Sequence, residues 1–158
     1  MKIKVLFSLI ALILLVACDN PVAPEVELEE PFWLPIARSR TLQPDGLTVT
    51  FDNLLAEGRC PDSPQIRCVW EGFAEIHLQL KRTANSRTSA TAIDTGLDLR
   101  IMGFVNRQDS LRHVVKDTLG YRFTLLQLDP YPQDLQDSQS AKAYKALLNI
   151  SRAKIEED

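Results

Sequence analysis

Groups able to do acid–base or nucleophilic chemistry are few in this chain. It contains two histidines, His77 and His113, and neither belongs to a recognisable set of serine, histidine and carboxylate. The sequence also has no nucleophile elbow and no phosphate-binding glycine loop. Glu71 and Glu75 lie four apart, on one face of an expected strand, and two carboxylates are the chemistry of glycoside hydrolysis. Such pairs are usually solvated charge, so the sequence favours a protein that is not an enzyme and has no cofactor.

Cys18 is the thiol with the clearest chemistry. It follows a basic start, Lys2 and Lys4, and the apolar residues 5–16, which at ~1.5 Å each reach roughly 18 Å and are too short for a bilayer core of about 30 Å. Residues 15–18 resemble the lipobox of bacterial lipoproteins. The resemblance implies a signal peptide over residues 1–17, a diacylglycerol on the Cys18 thiol and attachment to a membrane. The alternative is an ordinary secretory signal with a chance cysteine.

Cys60 and Cys68 are the two cysteines that remain once Cys18 carries lipid. Exported cysteines usually pair in an oxidising compartment, so we predict a Cys60–Cys68 disulfide that closes a loop between two strands. Metal binding is the weaker alternative, because His77 is the one further ligand nearby. Redox catalysis fits less well, since catalytic pairs typically lie two residues apart. The sequence therefore predicts no metal site.

The segment 18–35 has the composition of an extended tether. It is rich in proline and glutamate, which bury little and resist regular structure. Phe32 and Trp33 are the exception, and we expect them to dock on the edge of the domain rather than act as a binding hook. Removal of residues 1–17 would make the chain two charges more negative than its whole-sequence value of -3. This acidic balance argues against a nucleic acid partner.

Residues 36–152 are predicted to form a single β domain, because apolar residues recur there with period two. About six or seven strands are expected, which favours an antiparallel β-sandwich or a small β-barrel with one disulfide-closed loop. The alternating apolar positions are Leu47, Val49 and Phe51, then Ala74, Ile76, Leu78 and Leu80, then Leu97, Leu99 and Ile101, and finally Leu119, Tyr121, Phe123 and Leu125.

Two features of the second half of the domain require separate predictions. The apolar phase switches after Leu125 to Leu126 and Leu128, which indicates a β-bulge. Residues 141–152 alternate as a strand would, but their alanine, lysine and leucine content also suits a helix, and both readings stay open. Polar loops are expected over 83–96 and 106–117, the latter with a short strand at 113–116, and a charged tail over 153–158.

The disulfide segment carries a resemblance to a known family. Arg59-Cys60-Pro61, followed by Cys68-Val69-Trp70 and Gly72, resembles the signature of a family of small bacterial exported proteins and lipoproteins of uncharacterised function. The flanking strands and the residues 120–132 are similar in order and spacing. The resemblance implies a β domain with a disulfide loop, and it supplies no catalytic residue. Glu57-Gly58 and Glu71 depart from the pattern, which weakens the case for a shared ligand of the loop.

The surroundings of the loop are the best candidate for a binding surface. Arg59, Asp62, Arg67 and Glu71 give it a mixed charge, which is either a solvated rim or a recognition edge. Trp70 shares its parity with the inward positions of the following strand. It is therefore expected to pack in the core against the disulfide, provided that no bulge intervenes at Gly72.

Two functions compete on these grounds. The first is a membrane-anchored envelope lipoprotein whose β domain binds or assembles without catalysis, with an envelope protein, a cell-wall component or a small ligand as partner. The second is a hydrolase of envelope polymers that uses acidic residues. Asp19 resembles an inner-membrane retention signal that not all bacteria read, so the expected location is the bacterial cell envelope, periplasmic or otherwise extracytoplasmic, on the inner or the outer membrane.

Overall fold

Nine β-strands form two sheets in the part of the chain that the computed structural model describes, which is residues 23–84, 91–103, 114–134 and 143–153. The two sheets are separate and pack face to face, so the predicted sandwich is confirmed and the barrel alternative is wrong. The strands are β1 (Glu25–Glu27), β2 (Phe32–Pro35), β3 (Ser39–Gln43), β4 (Leu47–Glu57), β5 (Phe73–Arg82), β6 (Ile93–Met102), β7 (Val115–Thr118), β8 (Tyr121–Asp129) and β9 (Lys145–Arg152).

The first sheet has the order β1-β3-β4-β5-β6 and the second the order β2-β9-β8-β7. Neighbouring strands are antiparallel except β1, which lies parallel to β3. The long pairs β4–β5 and β5–β6 make up most of the first sheet, in which β6 is an edge strand. Each of these strands presents one face to the second sheet, which fixes its register because a slip of one residue would expose the apolar set.

The core lies between the sheets and consists of the alternating positions that the sequence predicts, except Leu119, which precedes β8 with φ of 56° and is 43% exposed. On β5, all four inward residues are fully buried, and the outward residues between them are half-buried or exposed. The second sheet contributes a matching face from β8 and β9. Its buried side chains are Phe32 and Leu34 on β2, Tyr121, Phe123, Leu125 and Leu128 on β8, and Ala146, Leu148 and Ile150 on β9, with Tyr144 immediately before β9.

The phase switch on β8 is a β-bulge, as predicted. The register with β9 shifts between Leu125 and Gln127, which face Leu148 and Leu147. This insertion lets both Leu125 and Leu128 point into the core. β4 has two further shifts opposite β5, which the sequence pattern does not predict.

The C-terminal segment is the strand β9, so the helix alternative is wrong there. β9 pairs with β8 on one side and with β2 on the other. Three buried apolar residues at every second position outweigh the local helix propensity, which is worth less than about 1 kcal/mol per residue.

The loop predicted over 83–96 is shorter than expected, since β6 begins at Ile93. The expected short strand is β7, which begins at Val115 rather than at residue 113.

The fold begins earlier than the predicted domain boundary at residue 36. β1 and β2 both lie within the segment 18–35 that was assigned to the tether. Phe32 and Leu34 are buried on alternate positions of β2, and this burial outweighs the surrounding proline and glutamate. Trp33 faces outward, with the Lys145 amine 4.4 Å from its ring centroid. The predicted docking of Phe32 and Trp33 on the domain is therefore confirmed, and the tether is at most residues 18–24.

A polar clasp joins the sheets at the end that holds the β3–β4 turn. The Tyr121 hydroxyl on β8 donates to Asp45 Oδ2 in that turn at 2.7 Å, and Arg152 Nη2 on β9 donates to Asp45 Oδ1 at 2.7 Å. Burial of Tyr121 raises its pKa to about 12, and the hydrogen bond and charge of Asp45 act in the same direction, against opposing Arg152 and Arg82. The clasp therefore depends on a neutral phenol.

Tyr121 is expected to ionise about two pH units above an ordinary tyrosine, whose pKa is about 10. Because the folded pKa is raised, its contribution to stability is complete below pH 10 and is lost as the pH rises towards 12. Ultraviolet titration of phenolate checks this: Tyr121→Phe should have one late-titrating phenol fewer than the parent. An equal number of late-titrating phenols in Tyr121→Phe and in the parent would refute the assignment.

Candidate binding surface around the disulfide loop

Cys60 and Cys68 form the predicted disulfide, with an S–S distance of 2.09 Å and Cα atoms 6.0 Å apart. The bridge closes the connection between β4 and β5. On the chain-entropy model a loop of this size stabilises the fold by about 2 to 3 kcal/mol. Inside the loop, the Ile66 amide donates to Ser63 O at 3.2 Å, and Ser63 Oγ donates to Gln65 Oε1 at 2.7 Å. The loop therefore has a defined backbone path.

Both ends of the loop continue the sheet hydrogen bonding beyond the strands. The Gly58 amide donates to Phe73 O at 2.9 Å, and the Cys60 amide donates to Glu71 O at 3.0 Å. A further bond leads to the other sheet, since the Asp62 amide donates at 2.8 Å to the carbonyl of Pro132, just beyond β8. The loop is thus attached to both layers of the sandwich.

Arg59 lies in the interior, which contradicts its predicted place on the binding surface. Its side chain is 1% exposed, and its guanidinium pairs with the Glu57 carboxylate through two nitrogens. Nη1 also donates to Leu128 O at 2.7 Å, and Nη2 donates to Pro130 O at 3.1 Å. Each of the three guanidinium nitrogens therefore donates to at least one acceptor, which makes burial of this charge tolerable.

The Tyr131 ring covers the same guanidinium, with its centroid 4.6 Å from Arg59 Cζ. Arginine is rarely buried unless it is paired, and this is why residue type alone placed Arg59 on the surface. The available signals were the acid two residues earlier, Glu57, and the segment Asp129-Pro130-Tyr131-Pro132. Arg59 contacts Leu128 and Pro130, which lie 69 and 71 positions later in the chain. A pattern in the local sequence does not show such a contact.

Trp70 is 56% exposed, so its predicted position in the core is wrong. Gly72 has φ of 66°, in the left-handed region, and breaks the alternation that begins at Phe73. The alternation of inward and outward side chains on β5 therefore does not extend back to Trp70. The Trp70 ring instead meets the Phe73 ring edge-on, with centroids 6.4 Å apart, and Val69 is 98% exposed. Val69 and Trp70 together are called the apolar tip below.

The other predicted surface residues lie in or next to the disulfide loop. Asp62 and Arg67 are exposed, and Glu71 is half-buried. Behind the tip, the Arg100 guanidinium stacks 4.1 Å from the Phe73 ring centroid and pairs with Glu75 at 3.3 Å. Glu75 is therefore in an ion pair, as expected for surface charge. The surface has an apolar centre and charged neighbours of both signs.

Two clefts are lined by residues other than Val69 and Trp70. A shallow one of about 540 Å³ is lined by Asp129, Pro130, Tyr131, Gln133, Ala143 and Lys145. A smaller one of about 270 Å³ is lined by Glu25, Val26, Glu27, Glu30, Pro31 and Phe32. In the first, Asp129 accepts a hydrogen bond from Gln127 at 2.8 Å and lies 3.7 Å from the Lys145 amine. The Asp129 carboxylate, the one acid that lines this cleft, thus already contacts Gln127 and Lys145.

Groups for metal or acid–base chemistry do not gather in the described ranges. His77 faces outward on β5, and its Nδ1 lies 2.6 Å from Asp98 Oδ1 on β6. Within residues 23–84, 91–103, 114–134 and 143–153, no three or more histidine, cysteine, aspartate or glutamate side chains form a group able to hold a metal ion. Cys18, His113 and the C-terminal tail from residue 154 lie outside these ranges. That the protein is not an enzyme and binds no metal or cofactor stays a prediction.

Comparison with models of known protein families, with curated proteins and with solved structures finds no match to this chain. The resemblance to exported bacterial proteins therefore stays a prediction from the motif. Over the described residues, the structure has no helix of the length and apolar character that a membrane-crossing helix needs.

Replacement of Arg59 by methionine is expected to destabilise the fold by about 3 to 5 kcal/mol, because it leaves Glu57 and two carbonyls without their partner. Urea unfolding with the disulfide intact measures this. Arg67→Met is the matched control on the exposed side of the loop, and should stay within about 0.5 kcal/mol of the parent. Equal unfolding midpoints for Arg59→Met and Arg67→Met would contradict a structural role for the Arg59 guanidinium.

Proposed function

We propose that this chain is a lipid-anchored protein of the bacterial cell envelope, whose β-sandwich binds or assembles without catalysis through the disulfide loop. The observation that carries the binding part is the apolar tip. Val69 and Trp70 are exposed on a backbone that a disulfide and hydrogen bonds to both sheets hold in place. Large apolar side chains exposed on a fixed backbone are typical of a binding surface, and the Val69 side chain is 98% exposed.

The anchor is inferred from Cys18 and the preceding sequence, with support from the disulfide. Disulfides persist in extracytoplasmic compartments, so the Cys60–Cys68 bridge fits an exported domain. A signal peptide over residues 1–17 and acylation of Cys18 would place the domain outside the cytoplasm, on the inner or the outer membrane. The partner is a component of that environment: an envelope protein, a cell-wall component, a small ligand or the membrane itself.

Hydrolysis of an envelope polymer is the second candidate. The observation that favours it is the smaller cleft, in which three glutamates, Glu25, Glu27 and Glu30, line one concavity. Acid catalysis needs two carboxyl groups that face one scissile bond with different protonation. Glu25 and Glu27 lie two apart on the edge strand β1 and are exposed, where water solvates both alike. Binding without catalysis is therefore the preferred function.

Cys18→Ser is expected to move the protein from the membrane fraction to the soluble extracytoplasmic fraction, because it removes the acylated thiol. Fractionation of cells shows the distribution, and intact mass of the detergent-extracted parent should show an amino terminus at Cys18 with added acyl mass. The fold should be unaffected, since β1 begins at Glu25. A parent protein that keeps residues 1–17, or a variant that stays with the membrane, would refute the anchor.

A photo-crosslinking amino acid at position 70 is expected to capture an envelope component in intact cells. Position 115 is the matched control, since Val115 is another exposed apolar residue but lies on β7 of the other sheet. A protein, glycan or lipid adduct at 70 that is absent at 115 supports the loop as the binding surface. Equal adducts at both positions would show that the loop has no preferred partner.

A further inference from the structure

We infer that the partner of the apolar tip is the headgroup region of the membrane to which the chain is anchored. This inference rests on the proposed anchor at Cys18 and adds the orientation of the domain. It follows from three observations: the direction in which the chain enters the fold, the short distance to Cys18, and the different character of the two ends of the sandwich.

The chain enters the first sheet from the side of the disulfide loop. β1 is parallel to β3, with Glu25 opposite Thr41, and Thr41 is in turn opposite Thr48 at the start of β4. The Thr41 amide donates to Pro24 O at 3.0 Å, so Pro24 continues the line of β1. From Glu25 towards Pro24, the chain therefore runs in the same direction as β4, and β4 ends at the disulfide loop.

The distance available to the anchor is comparable to the distance to the loop. Seven positions separate Cys18 from Glu25, and at ~3.3 to 3.6 Å each they reach at most about 25 Å, whatever path they take. Thr48, level with Glu25, lies opposite Lys81, and Glu57 lies opposite Ala74, so this part of β4 spans seven positions of β5, or roughly 23 Å at ~3.3 Å each. A fully extended segment on this line therefore brings an anchored Cys18 about as far out as the end of β4.

The connection between β4 and β5 continues beyond the end of β4, and its exposed large apolar side chains are those of the apolar tip. A bilayer that holds the acyl chains of Cys18 is thus within reach of Val69 and Trp70. Tryptophan is the side chain that membrane–water interfaces favour, since its ring is apolar and its indole N–H is polar. Leu55, also exposed, lies near the end of β4 and adds apolar surface on this side.

The opposite end of the sandwich exposes less apolar surface. The turn between β1 and β2 carries the exposed acids Glu29 and Glu30, and Asp45 in the β3–β4 turn is held in the clasp. Leu119 is exposed at that end, whereas the loop end exposes Leu55 and the apolar tip. Apolar exposure therefore favours the loop end for contact with the membrane, in agreement with the direction of β1.

Two side chains do not hold a domain on a bilayer by themselves. An acyl anchor raises the local concentration of the tip at the surface, so that a weak contact is populated. Anchor and tip together would restrict the sandwich to one orientation, with the loop at the headgroups.

The test measures quenching of tryptophan fluorescence by brominated acyl chains in phosphatidylcholine vesicles that carry the cell-processed protein. The chain has two tryptophans. Trp33→Phe leaves Trp70 as reporter, and Trp70→Phe leaves Trp33 as the matched control. Because interfacial side chains lie about 5 to 10 Å into the headgroup and acyl boundary, bromine should reduce Trp70 emission roughly twofold and shift it to shorter wavelength, with little effect on Trp33.

A second variant separates insertion from mere proximity. Val69→Asp in the Trp33→Phe background places a charge at the tip, on an exposed position that the fold tolerates. It should abolish quenching of Trp70 while the protein stays on the vesicles. Equal quenching of Trp70 with and without the aspartate, or equal quenching of Trp33 and Trp70, would overturn the inference.

Intact mass of the same sample distinguishes failure of the Cys18 anchor from failure of the apolar tip to contact the membrane. If Cys18 carries no acyl mass, the chain can be coupled through Cys18 to a maleimide lipid, because Cys60 and Cys68 are bridged and leave Cys18 as the only free thiol. Quenching of Trp70 in the coupled protein would uphold the orientation without natural acylation. An acylated protein whose Trp70 is not quenched would overturn the tip while leaving the anchor intact.

Discussion

The buried Arg59 side chain connects the start of the disulfide loop to both sheets of the sandwich. The Arg59 guanidinium binds Glu57 at the end of β4 and the carbonyls of Leu128 and Pro130 at the end of β8, and it stacks on Tyr131. Coulomb attraction alone would not repay its desolvation, so the full set of acceptors is what makes the arrangement stable. Because Arg59 immediately precedes Cys60, the disulfide loop begins at a point fixed to both sheets.

Close backbone packing around Arg59 explains why the apolar tip faces outward. A Cβ atom on Gly72 would lie 1.9 Å from Gly58 O, and one on Gly103 would lie 2.2 Å from Glu71 O and 3.1 Å from the Tyr131 hydroxyl. Three chain segments therefore meet with no space for a side chain between them. The interior at this end is filled by Arg59 and Tyr131, and an indole has no room there. Trp70 is placed outside by the packing that buries Arg59.

The sequence predicts the sandwich well where its information is local, and less well where distant segments meet. Period-two alternation identifies the inward residues of β5 and β9, since burial on one face is visible in each strand separately. The disulfide follows from cysteine number and export. Burial of Arg59 depends on carbonyls about 70 residues away, and exposure of Trp70 depends on the left-handed Gly72. About six or seven strands are predicted where the described residues form nine. β2 is not among the predicted ones because proline and glutamate hide an alternation of only two residues, Phe32 and Leu34.

A rigid support is what gives so small an apolar surface a function. Contact with any partner costs about 0.5 to 1.5 kcal/mol for each side chain that becomes ordered, and more when a loop has to be ordered as well. Here the disulfide, the Asp62–Pro132 hydrogen bond and the Arg59 contacts hold the loop backbone before any contact forms. The cost is then confined to the rotamers of Val69 and Trp70. Two exposed side chains can contribute net binding on this scaffold, whereas the same pair on a flexible loop would contribute little.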